Sequence, residues 1–134
     1  MLRVEYREGL YLPDLDLWLD ADGPRERCVI SHAHSDHIAE HRAIVSTPET
    51  ARLFRHRRGA AEVEALPYGE RRDYGRYALT MYPAGHCLGS AQILVEAEGE
   101  RLVYTGDIKL RPNVAAEQAV VVPCDTLVME STFG

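Results

Sequence analysis

The sequence predicts an α/β fold that is mostly β-sheet with few helices. Short apolar or alternating runs recur along all 134 residues with turn signals between them. Helix-start and helix-stop chemistry is rare. Polar loops follow the β-runs, the pattern of a sheet or half-sandwich with helices on one face.

The elements follow in order. Val4 to Arg7 alternates, Tyr11-Leu12 follows, and Leu15 to Asp20 alternates leucine with Asp or Trp, all as short strands. Asp22-Gly23-Pro24 marks a turn. Cys28-Val29-Ile30 suits a buried strand that leads into Ser31-His32-Ala33-His34-Ser35-Asp36-His37, and Ile44 to Ser46 is a further strand. Thr47 can cap a helix with Pro48 at its first position and Glu49 in its first turn, running through Ala51, Leu53 and Phe54 to Gly59. Its basic end, Arg55 to Arg58, complements the helix dipole, which explains it better than a phosphate patch does. Strands are then expected at Glu62–Leu66, Tyr77–Tyr82, Ile93–Glu96, Leu102–Thr105 and Thr126–Glu130, with Glu98-Gly99-Glu100 as a hairpin turn.

The length suits one domain with a real core, and the 46% hydrophobic and 27% charged residues suit a soluble globular protein. No apolar run reaches the roughly 20 residues of a membrane-spanning helix, and the N-terminus lacks the pattern of a secretory signal. Cys28, Cys87 and Cys124 are odd in number and form no CxxC pair, which argues against a disulfide framework and for a reducing compartment, the cytoplasm. A net charge of −6 argues weakly against a polyanionic partner. Two bound divalent cations would reverse that locally.

The chemistry concentrates in His32-x-His34-x-Asp36-His37. Three imidazoles and a carboxylate at a strand end offer zinc-type nitrogen ligands and a harder oxygen, so one loop can serve two metals. Alone, His86 in Pro83-Ala84-Gly85-His86-Cys87-Leu88-Gly89-Ser90 reads as an ordinary hydrogen-bonded histidine, and Asp107 in Tyr104-Thr105-Gly106-Asp107 as a turn aspartate. Beside the first motif, both become candidate ligands at two further strand ends.

The segments SHAHSDH, PAGHCLGSAQ, YTGDIKLRP and MESTFG resemble the metallo-β-lactamase superfamily. More narrowly they resemble its nucleic-acid-processing β-CASP branch, which includes RNA 3′-end cleavage nucleases and bacterial DNA-ligase-associated exonucleases. LYLPDLDLWLD and TPETARLF resemble the bacterial exonuclease-like members. The resemblance implies an αβ/βα sandwich of which this chain forms the first half. It implies that His32, His34 and His86 hold one metal, that Asp36 and His37 hold a second, and that Asp107 bridges them. Zinc is the expected metal, with manganese as the alternative. Asp36 would orient the attacking hydroxide, Asp20 would buttress the histidine loop, and Glu130 would support a catalytic histidine acting as general acid. Such a centre activates water and offsets charge on a phosphoryl group.

The family pattern also has a downstream histidine for the second metal and an inserted β-CASP domain, neither of which is present before Gly134. His41 and His56 fall on expected helical segments and lack the required context. The chain is therefore expected to be residues 1–134 of a larger metallo-β-lactamase domain, with the second sheet supplied largely by the missing part. Exposed apolar surface, self-association, and metal binding without robust nuclease activity follow from that expectation. The leading function is hydrolysis of DNA or RNA phosphodiesters. The alternatives are a thioester or lactone hydrolase of the same superfamily, and a catalytically inactive binding partner.

Overall fold

The computed structural model describes residues 2–32, 41–58, 62–85, 89–106 and 119–129. Its elements are β1 (Glu5–Tyr6), β2 (Leu10–Leu12), β3 (Leu17–Leu19), β4 (Arg27–Val29), β5 (Ala43–Ser46), α1 (Pro48–Arg58), β6 (Glu62–Ala65), β7 (Arg72–Asp73), β8 (Ala78–Pro83), β9 (Ala91–Ala97), β10 (Glu100–Tyr104) and β11 (Thr126–Val128).

They form two sheets. The first runs β1-β2-β3-β4-β5-β6, antiparallel through β3 and parallel from β3 to β6. The second runs β11-β10-β9-β8-β7, antiparallel except where β11 lies parallel to β10. Alternation sends one set of side chains from each sheet into a shared core. Leu12, Leu17, Leu19, Val29 and Val45 come from the first sheet, and Leu79, Met81, Ile93, Val95, Leu102 and Tyr104 from the second. Each such aliphatic side chain, fully buried, contributes about 1.5–3 kcal/mol over exposure.

α1 begins as its sequence implies. Thr47 Oγ1 accepts the Thr50 backbone N–H at 3.4 Å, Pro48 needs no hydrogen bond for its nitrogen, and Glu49 lies in the first turn. The helix covers the outer face of the first sheet by setting Phe54 against Ile30 and Ile44, with Val63 alongside. Among the described residues no helix is long and apolar enough to cross a membrane.

Two expectations need correction. The second sheet lies within this chain, because β8, β9 and β10 form a meander of adjacent hairpins that alternates well enough to close the core. Among the described residues the exposed large apolar side chains are Tyr6, Leu53, Val120, Val121, Leu127 and Met129, of which Leu127 lies on the edge strand β11. His41 is not helical; it precedes β5, buried, with its ring stacked 6.5 Å from that of Phe54. The two-residue β7 was not anticipated, since Arg72-Asp73 has no apolar pattern.

Candidate metal centre

Three turns at the ends of apolar strands meet at Ser31. β4 runs through Ile30 into Ser31 and His32, both buried. The Ser31 carbonyl accepts the backbone N–H of Ala91 at 2.8 Å, which ties the first sheet to the start of β9. Ala91 pairs with Pro83, and Ala84 N–H donates to Ser90 O at 3.2 Å, so the end of β8 and the start of β9 lie together beside Ser31. Gly106, just past β10, is the third party. A Cβ there would stand 2.8 Å from Ser31 Oγ and 2.9 Å from Ser31 Cβ, and its φ of 56° is left-handed, so only glycine fits without displacement.

Gly89, just before β9, is anchored to the start of α1. Thr47 and Thr50 hydroxyls donate to Gly89 O at 2.7 and 3.1 Å, and Tyr68 donates to Ser90 O at 2.8 Å. Gly89 has φ 78°, and a Cβ would come within 2.7 Å of Glu49 Cβ.

Beneath the junction lies Asp20, buried and in the left-handed region at φ 47°. Its Oδ1 accepts the Ser31 backbone N–H at 2.8 Å; its Oδ2 accepts the Ser31 hydroxyl and the Tyr104 hydroxyl, the latter at 3.0 Å. Ser31 Oγ lies 2.9 Å from His32 Nδ1. The first histidine of the motif therefore rests on a hydroxyl, which rests on a carboxylate.

Of the residues singled out by sequence, the structure describes Asp20 and His32 at this junction. His34, Asp36, His37, His86, Asp107 and Glu130 lie outside the described residues, and no group of three potential ligands gathers among those described. His41 is engaged elsewhere: its Nδ1 accepts the Arg25 backbone N–H at 3.1 Å, and burial, then the charge of Arg25, hold it below the usual histidine range. Ser31 and Tyr104 were not singled out. Their signals were a hydroxyl directly before the first histidine and a phenol closing the apolar strand before Gly-Asp.

No family profile matches the chain. Similar proteins are nonetheless plain. A probable DNA ligase from Opitutus terrae is 45% identical over 134 residues, covering 98% of this chain and 13% of its own. An endoribonuclease YSH1 from Gibberella zeae is 37% identical over 76 residues, 54% of this chain and 9% of its own. An RNase J-like protein from Methanocaldococcus jannaschii is 28% identical over 167 residues, 99% of this chain and 39% of its own. The YSH1 and RNase J-like relatives are β-CASP metallo-β-lactamase proteins.

The chain is similar to proteins of the β-CASP branch of the metallo-β-lactamase superfamily.

The chain spans well under half the length of those relatives. Two solved structures share its fold: a protein of unknown function from Enterococcus faecalis (TM-score 0.53, 21% identity, 63% of this chain and 25% of that one) and the flavodiiron protein of Giardia intestinalis (TM-score 0.50, 16% identity, 60% and 22%). Its metallo-β-lactamase relatives imply the use of a divalent metal. The described donors fit that chemistry, because a buried imidazole whose Nδ1 is engaged by Ser31 has Nε2 as its coordinating nitrogen.

Proposed function

We propose that this chain is part of a β-CASP metallo-β-lactamase protein and carries the metal centre of a hydrolase acting on nucleic-acid phosphodiester bonds. The observation that carries the reading is the convergence of three strand-end turns on Ser31. The segments that start from them are those holding the candidate ligands: His34, Asp36 and His37 after His32, His86 after Gly85, and Asp107 after Gly106. In this reading His32, His34 and His86 would hold one divalent ion, and Asp36, His37 and Asp107 would serve a second. Zinc is the metal proposed, with manganese as the alternative.

Two such ions, when bound, supply an activated water and offset charge on the phosphoryl oxygens. The chain's own residues do the rest. Asp36 would orient the water, Asp20 holds the His32 segment through Ser31, and Glu130 would support the group that protonates the leaving oxygen. The relatives support a nucleic-acid substrate, since those matched are called a DNA ligase, an endoribonuclease and an RNase J-like protein. That they are much longer supports a further proposal: the general acid, the last ligand of the second metal and most of the substrate cleft come from outside residues 1–134. The edge strand β11, with exposed Leu127 and Met129, is where such a part or a second copy would pack.

The test compares the chain with the whole gene product on labelled DNA and RNA oligonucleotides and on thioester and lactone substrates. The whole product cleaves oligonucleotides and loses that activity with His32→Ala; the 134-residue chain binds metal and cleaves little. Thioester or lactone turnover without oligonucleotide cleavage would overturn the substrate class. Robust cleavage by the short chain would overturn the division of labour.

A further inference from the structure

We propose that Ser31 is a positioning residue that fixes the tautomer of His32, with Asp20 setting the direction of the Ser31 hydroxyl. The inference rests on the reading of His32 as a metal ligand. A serine hydroxyl has a single proton, and here it is given to Asp20 Oδ2. An ionised carboxylate can only accept, so the bond has one possible direction. The hydroxyl oxygen thus turns lone pairs toward His32 Nδ1, 2.9 Å away, and the contact is a hydrogen bond only if Nδ1 bears the ring proton. A neutral imidazole has one such proton, so Nε2 presents its lone pair.

Several independent contacts hold Ser31 in that pose. Its N–H donates to Asp20 Oδ1 at 2.8 Å and its carbonyl accepts from Ala91 at 2.8 Å, which fixes the backbone on both sides of the side chain. Gly106 closes over the hydroxyl with no Cβ. Tyr104 donates to the same Asp20 oxygen as Ser31 does, at 3.0 Å, which keeps that oxygen an acceptor and its position fixed. The relay runs from the core outward: Asp20 accepts from Ser31, and Ser31 accepts from His32. Nothing in the relay depends on the metal. The histidine is set for coordination before any ion arrives.

The experiment reads the tautomer first and the metal second. Heteronuclear NMR of the ring nitrogens in the metal-free chain, at about pH 8 where a histidine of ordinary pKa near 6.5 is neutral, reports which nitrogen bears the proton; a His32→Gln variant assigns the signal. The wild-type chain shows the Nδ1–H form, and Ser31→Ala moves His32 substantially to the Nε2–H form. Competition with a chromophoric chelator then shows zinc affinity lowered by about 10–100-fold in Ser31→Ala, the usual effect of removing a partner behind a ligating histidine. Ser31→Thr, which keeps the hydroxyl, restores both readouts, and Tyr104→Phe leaves the tautomer unchanged.

A folded Ser31→Ala chain with the wild-type nitrogen pattern and zinc affinity within about twofold overturns the proposal. If Ser31→Ala does not fold, the wild-type spectrum decides, since an Nε2–H His32 there overturns it equally. A wild-type chain with Nδ1–H His32 that binds no divalent metal refutes the metal centre and leaves the positioning of the ring intact, so the two failures are distinguishable.

Discussion

Replacing Asp20 with alanine removes the acceptor for three buried donors at once. Asp20 is 7% exposed and takes the Ser31 N–H, the Ser31 hydroxyl and the Tyr104 hydroxyl. A buried donor left without a partner costs about 1–3 kcal/mol. Rotation of the two hydroxyls and entry of water into the space left behind offset part of that. A net loss of about 3–6 kcal/mol follows from the donors. Alanine also tolerates the φ of 47° less well than aspartate does, which adds about 1 kcal/mol. Asp20→Asn keeps the Oδ1 acceptor and the left-handed backbone but turns an amide donor toward two hydroxyls, for a loss of about 1–3 kcal/mol. Tyr104→Phe removes one donor and leaves the Ser31 bonds, for about 1 kcal/mol. Urea unfolding of the chain, followed by circular dichroism and Trp18 fluorescence, measures all three, and the order is Ala, then Asn, then Phe. An Asp20→Ala chain within about 0.5 kcal/mol of wild type, the range of inert surface changes, would refute the claim that this carboxylate holds the junction.

Gly106→Ala drives a methyl into Ser31 in a left-handed turn. It should destabilise the chain by about 1–3 kcal/mol and weaken metal binding, checked by thermal melting and chelator competition. His41 is held below its ordinary 6.5, so the folded chain resists a proton that the unfolded chain takes up. Its contribution to stability is whole above that value and is lost as pH falls from there through the lower folded value. Urea midpoints measured at about pH 7.5 and 5.5 should drop on acidification, and His41→Gln should flatten the drop. Burial pushes the Cys28 thiol up to about 12, so in the folded chain it should react with an alkylating reagent far more slowly than the partly exposed Cys124, as peptide mass mapping would show.

Much of the fold was legible because its signals are local. The Thr47-Pro48-Glu49 start of α1, the Glu98-Gly99 hairpin and the alternation in β8 to β10 each declare themselves within a few residues. The presence of a second sheet was not, because pairing two sheets is a long-range matter: Leu19 and Tyr104 share one core from distant parts of the chain. β7 escaped because backbone pairing with β8 makes it a strand, not its side chains. At the junction, His32 was legible by the type and spacing of its motif, and Asp20 through the resemblance. Ser31 and Tyr104 were not, since a serine and a tyrosine are common residues whose importance lies in converging on Asp20 from positions far apart in sequence. The same holds for Thr47, read as a helix cap, and for Thr50, both of which grip Gly89.

Metal occupancy decides whether the junction at Ser31 and His32 serves a divalent-metal centre. The most direct test is elemental analysis of the purified chain after loading with zinc or manganese and removal of excess ion, with His32→Ala beside it. The account predicts at least about one divalent ion per wild-type chain and a marked loss in a His32→Ala chain that still folds. A wild-type chain that retains no metal, or a folded His32→Ala chain that retains the wild-type amount, would contradict it.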